Sequence, residues 1–125
     1  MTTSLAKIGD GETVKRLAAL LFLIASGAHA ETVDVKYRGS VDLKSFACQA
    51  ITKSSFINRV CYDAAEQYMV ILLKDTYYHY CEIPKSTVDA LLSAGSLGSY
   101  YNANIKGTGK DGPYDCRTHK VPVYR

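Results

Sequence analysis

Residues 57–83 decide the fold: Ile57-Asn58-Arg59-Val60-Cys61-Tyr62-Asp63, then Ala64 to Gln67, then Tyr68-Met69-Val70-Ile71-Leu72-Leu73, and after Lys74-Asp75-Thr76 the run Tyr77-Tyr78-His79-Tyr80-Cys81-Glu82-Ile83. The middle run is almost wholly apolar, as a strand covered on both faces should be. The runs on either side alternate. Val60 and Tyr62 fall on one face and Arg59, Cys61 and Asp63 on the other, while Tyr78 and Tyr80 share a face in the third run. β-Branched and aromatic residues suit a pleated sheet, and both connections are short. The pattern predicts a three-stranded antiparallel meander over 57–63, 68–73 and 77–83.

Residues 84–107 read as helix. Pro84 suits a helix start, with its fixed φ and missing N–H, and Val88, Leu91 and Leu92 recur at helical spacing. Ser93 to Ser96 interrupts the run, and Ser96 can cap a second helix. Leu97, Tyr100, Tyr101 and Ile105 form the apolar stripe of that helix and Gly107 its stop. The expected architecture is α+β: a three-stranded antiparallel meander followed by two short helices packed on one face, with disulfide-tied N- and C-terminal extensions. Before the meander, Thr32 to Leu43 alternates weakly, as a hairpin or an extended arm. Phe46 to Ile51 has no clear period. After the Gly-rich stretch 108–113, Lys120 to Tyr124 is a candidate strand.

Residues 1–30 have the three parts of a secretory signal: Lys15 and Arg16, the apolar run Leu17 to Ile24, and the small-x-small site Ala28-His29-Ala30 before Glu31. The apolar run is shorter than the roughly 20 residues that a membrane span needs. The chain has 15 Lys+Arg and 12 Asp+Glu; cleavage removes Lys7, Lys15, Arg16, Asp10 and Glu12, leaving a net charge of +2. That near balance supplies no electrostatic reason for a nucleic-acid partner. The expected location is periplasmic or secreted, with no stable membrane span after signal removal.

All four cysteines, Cys48, Cys61, Cys81 and Cys116, follow the cleavage site. An even count in a short exported chain reads as two disulfides. In the meander a central strand separates Cys61 from Cys81 by about 10 Å, whereas a disulfide needs Cα atoms within about 7 Å. That disfavours Cys61–Cys81, and with it Cys48–Cys116. Two pairings remain, and the reading leans to Cys48–Cys61 with Cys81–Cys116. The alternative use of these residues is a zinc set of His79, Cys81, Cys116 and His119; disulfides without a cofactor are the default.

The order of motifs resembles the KTSC domain, a small module found at the C-terminus of some lysyl-tRNA synthetases and alone in bacterial proteins. Ser54, Ser55, Tyr62, Asp63, Tyr78, Tyr80, Pro84, Ser96, Gly98, Asn102 and Ile105 carry the resemblance. Asp75-Thr76 stands where the family usually has a turn glycine, and cysteines occupy strand positions, as in a secreted branch with added extensions. The domain plan is a signal at 1–30, an N-terminal extension at 31–53, the KTSC-like domain at 54–107 and a tail at 108–125.

Asp63, Asp75, His79 and His119 are the acid–base groups that can be placed. No nucleophile elbow, phosphate loop or Ser–His–Asp pattern accompanies them, so the expectation is a non-catalytic module that binds a protein or envelope component. Its candidate binding residues are Tyr78, Tyr80, Ser96, Gly98, Tyr101 and Asn102. Tyrosines beside basic residues can also stack nucleobases, so a nucleic-acid (RNA) binding module is the alternative. For Tyr78 and Tyr80, core packing is favoured over a ligand platform. Ser96 to Gly98 is read first as a helix cap and packed corner, and second as an anion site.

Overall fold

The computed structural model describes residues 31–107 and 112–124; residues 1–30, where a secretory signal is expected, lie outside the described residues. The protein is α+β, but its sheet has six strands rather than three. These are β1 (Thr32–Val35), β2 (Gly39–Asp42), β3 (Ala47–Ala50), β4 (Ile57–Asp63), β5 (Tyr68–Leu73) and β6 (Thr76–Tyr80), in the spatial order β2-β1-β6-β5-β4-β3. The expected meander, β4-β5-β6, is antiparallel and forms the centre. The N-terminal extension supplies the other three strands. β1 and β2 form an antiparallel hairpin docked parallel to β6 through Val35 and Tyr77, and β3 lies antiparallel to β4 on the far edge. β3 was illegible as a strand because all four of its residues are exposed, so no buried face imposes a period.

A register shift between Ile57 and Arg59 bulges β4. The extra residue lets Ile57 share the face of Val60 and Tyr62 despite its odd spacing. β6 stops at Tyr80, short of the expected Ile83, because Glu82 takes a left-handed backbone (φ 52°) that turns the chain away.

Two helical segments cover one face of the sheet. α1 (Lys85–Ser93) starts directly after Pro84, and α2 (Leu97–Tyr100) runs on into a π-helical turn at Tyr101–Lys106 that ends on Gly107 at φ 71°. Met69 and Ile71 of the sheet meet Val88, Leu91, Leu97, Tyr101 and Ile105 in the main core. The opposite face buries Val35, Leu43, Cys61, Tyr68, Val70 and Cys81, closed by Phe46 and by Cys116 and Tyr124 of the tail. The tail has no strand at 120–124 among the described residues. Side chains anchor it instead: Arg38 Nη2 donates to the Pro122 carbonyl at 2.6 Å, and Tyr124 Oη donates to buried Asp63 at 2.7 Å. Both disulfides form in the preferred pairing. Cys48–Cys61 ties β3 to β4 at directly opposed positions, and Cys81–Cys116 ties the tail to the end of β6. No helix among the described residues is long and apolar enough to cross a membrane.

Candidate functional site

β6 is not paired along its whole outer edge. Lys36 N donates to the Tyr77 carbonyl at 2.9 Å, where β1 ends, and Cys81 N donates to the Tyr114 carbonyl at 2.9 Å, where the tail takes over. Main-chain groups alternate in direction along a strand, so His79 also faces this side. Its N–H and C=O point into the gap between Lys36 and Tyr114, and they have no main-chain partner there among the described residues.

A groove of about 820 Å³ opens over this gap. Tyr37 and Arg38 of the β1–β2 turn form one wall, Tyr78, His79 and Tyr80 the floor, and Lys106 with Asp115, Cys116, Arg117 and Val121 the other side. Three cations against a single carboxylate leave the rim positive. Tyr37 is 85% exposed and has φ 71°, a left-handed conformation unusual for a bulky residue. Lys36 Nζ lies 5.3 Å from the Tyr37 ring centre and 5.7 Å from that of Tyr78, within cation–π range.

The floor is rigid. Arg38 Nη1 donates to Tyr68 Oη at 2.9 Å, and Tyr68 Oη is 2.8 Å from His79 Nδ1. Burial, and then the nearby Arg38 charge, push the His79 pKa below its ordinary 6.5, while burial pushes the Tyr68 hydroxyl up. Both effects favour neutral groups. The Arg117 side chain holds Asp115 down to about 2, so this carboxylate stays ionised.

The six expected binding residues do not form one site. Tyr78 and Tyr80 lie in the groove. Ser96, Gly98 and Asn102 line a separate hollow of about 370 Å³ beside Ser54 and Ser55. Tyr101 is buried in the main core, hydrogen-bonded to Tyr80 Oη. In that second hollow the packed-corner reading has direct support. Ser96 Oγ accepts from Ser99 N at 3.2 Å, and a Cβ on Gly98 would come within 2.6 Å of the Phe56 ring. Tyr78 and Tyr80 are half-buried, packed on the core and facing the groove. Sequence reasoning missed Tyr37, Arg38, Lys106 and Arg117. The one available signal was a tyrosine and an arginine directly before Gly39, in a break that reads as a turn.

Of the alternative zinc set, three residues converge: a ring nitrogen of His79 and the sulfurs of Cys81 and Cys116 lie within 4.8 Å of one another. His119 is not among them; its Nδ1 lies 3.3 Å from Glu82 Oε1.

The KTSC domain family model matches residues 53–108. Over this segment the chain is similar to the KTSC domain family. A KTSC domain protein from Yersinia pestis, known from its crystal structure, is 26% identical, with a TM-score of 0.46 over 50% of this chain and 89% of that one. No curated protein matches the chain. The matched segment contributes β4 to β6, both helices, the groove floor and Lys106. Tyr37, Arg38 and residues 112–121 lie outside it. The groove is thus a seam between the KTSC-like segment and the segments before and after it.

Proposed function

We propose that the protein is an exported, non-catalytic KTSC module that binds an extended, acidic segment of another protein or envelope component along the open edge of β6. The observation that carries this reading is the pair of main-chain groups of His79, directed into a groove whose rim holds Arg38, Lys106 and Arg117. An added strand would satisfy those groups, and flanking side-chain pockets would give selectivity. Acidic side chains on the incoming segment would match the rim charge. Export is supported by the signal pattern of residues 1–30 and by two disulfides, which suit an oxidising compartment. The non-catalytic part of this reading rests on the sequence, where no nucleophile elbow, phosphate loop or Ser–His–Asp pattern is found.

The RNA-binding alternative rests on Tyr37 and Tyr78, which sit either side of Lys36 and could stack bases. An NMR titration separates the two readings. The oxidised protein is titrated at low salt with a short peptide of alternating glutamate and valine, and separately with mixed-sequence single-stranded RNA. The peptide reading expects the His79, Tyr37 and Arg38 amide signals to shift with peptide and not with RNA. Shifts only with RNA, weakening as salt rises, would transfer the groove to the alternative. No shift with either probe would remove the groove as the site.

A further inference from the structure

We infer that His79, Cys81 and Cys116 are a zinc site in the reduced protein, so that the Cys81–Cys116 disulfide and a bound zinc ion are mutually exclusive states of one site. One ring nitrogen and two sulfurs already converge within 4.8 Å. Zinc bonds to sulfur at about 2.3 Å and to imidazole nitrogen at about 2.0–2.1 Å, so the three atoms need only small shifts to surround it. The two cysteine Cα atoms are 5.0 Å apart; once the S–S bond opens, rotation about each Cα–Cβ bond separates the sulfurs without moving the backbone.

The surroundings are those of a prepared ligand. Tyr68 Oη, itself held by Arg38, binds His79 Nδ1 and fixes the ring. Metal-binding histidines characteristically use their second nitrogen in this way, and Nε2 is then the nitrogen available to the ion. His79 and Cys116 both line the groove, so an ion has a path in and the fourth position opens onto the groove. Three protein ligands with one open position is the coordination of zinc sites that exchange a ligand.

The chemistry balances. A dithiol reductant gives two electrons and two protons to the disulfide and leaves as its own cyclic disulfide. Zinc then displaces one proton from each thiol, giving a neutral dithiolate–imidazole complex.

The test uses the full chain, reduced without oxygen by a phosphine, which leaves as its oxide with oxygen taken from water. Cobalt(II) reports the coordination, and zinc then competes for it. The inference expects one cobalt per chain with thiolate charge-transfer absorption, displaced by one zinc, and no binding to the oxidised protein. Cys48→Ser/Cys61→Ser should bind as the parent does. Tyr68→Phe should weaken binding about tenfold, as loss of an orienting partner does, and His79→Ala should weaken it further. Circular dichroism on each reduced variant separates folding from ligation. Affinity unchanged in His79→Ala, or lost in Cys48→Ser/Cys61→Ser, would overturn the site, as would binding by chains that stay unfolded with the metal present.

Discussion

On the helix side of the sheet, Ile57, Met69, Ile71, Leu91 and Ile105 are fully buried and close an aliphatic core without a cysteine. On the other side, the buried set is smaller and holds Cys61, Tyr68 and Cys81, with Arg38 and Tyr124 laid over it. The first side is built almost entirely within the KTSC segment; the second depends on chain that precedes and follows it. A short extension cannot bury enough apolar area to offset its own ordering entropy. Covalent ties and a polar aromatic network take over part of that task, and the groove lies where they meet. The groove side should therefore answer to redox state and pH, and the helix side to side-chain volume.

The sharpest test of this contrast is to remove each disulfide. The chain-entropy model gives a loss of about 4 kcal/mol for Cys81→Ala/Cys116→Ala, which spans 35 residues, and about 3 kcal/mol for Cys48→Ala/Cys61→Ala, which spans 13. Denaturant midpoints of the two double variants measure it. Local unfolding should also differ. Without Cys81–Cys116, hydrogen exchange should rise over residues 112–124 while α1 stays protected. Uniform loss of protection would show that the two sides are one cooperative unit.

The helix side is tested at Tyr80, which touches both regions. Loss of its ring opens a cavity against Tyr101, and Tyr80→Ala should cost about 3 kcal/mol, the low end for a ring truncation. Tyr80→Phe removes only the hydroxyl and should cost about 1 kcal/mol. A Tyr80→Ala protein that melts at the parent temperature would show that the ring serves the groove and not the core.

Where one face is buried, the pattern of residues was enough. Val60 and Tyr62, the run Tyr68 to Leu73, and Leu97, Tyr101 and Ile105 all repeat with the period of their element, and the central meander and the two helices were legible from them, whereas the cysteine pairing was narrowed only to two, of which the structure has the one leaned to. β3 has no buried face, and the tail follows its own side-chain anchors, so neither carried a period. The groove was legible only at Tyr78 and Tyr80, because its walls come from residues more than 25 positions away along the chain. Such a juxtaposition depends on β1 docking beside β6 through a single residue pair, Val35 with Tyr77.

The pH dependence is a smaller effect on the same side. His79 is faced by Arg38, Tyr68 and Asp115, and its folded pKa lies below 6.5 because burial and Arg38 disfavour the imidazolium more than Asp115 favours it. Its contribution to stability is therefore fully present above the unfolded value of 6.5. As pH falls below that value, the unfolded chain takes up the proton first, and stability declines toward the lower folded pKa. Melting temperature against pH should fall through this window in the parent and fall less in His79→Gln. Equal slopes would mean that the imidazole is not desolvated by the floor of the groove.

The smallest stability effect should come from the residue with the largest exposure. Tyr37 buries little of its ring and holds φ 71° at the turn before Gly39. A left-handed backbone costs a non-glycine residue about 1–2 kcal/mol, and glycine avoids that cost while adding about 0.5–1 kcal/mol of unfolded-state entropy. Tyr37→Gly should therefore melt at or slightly above the parent temperature. A turn that holds a strained aromatic over a groove, where glycine would serve the backbone equally well, fits retention of the ring for contact with a ligand. Tyr37→Gly should accordingly weaken peptide binding at the His79 edge by about tenfold, a loss of one aromatic contact of roughly 1.4 kcal/mol. Binding unchanged beside a raised melting temperature would leave the ring without a role at the groove and move the ligand contacts to Arg38 and Lys106.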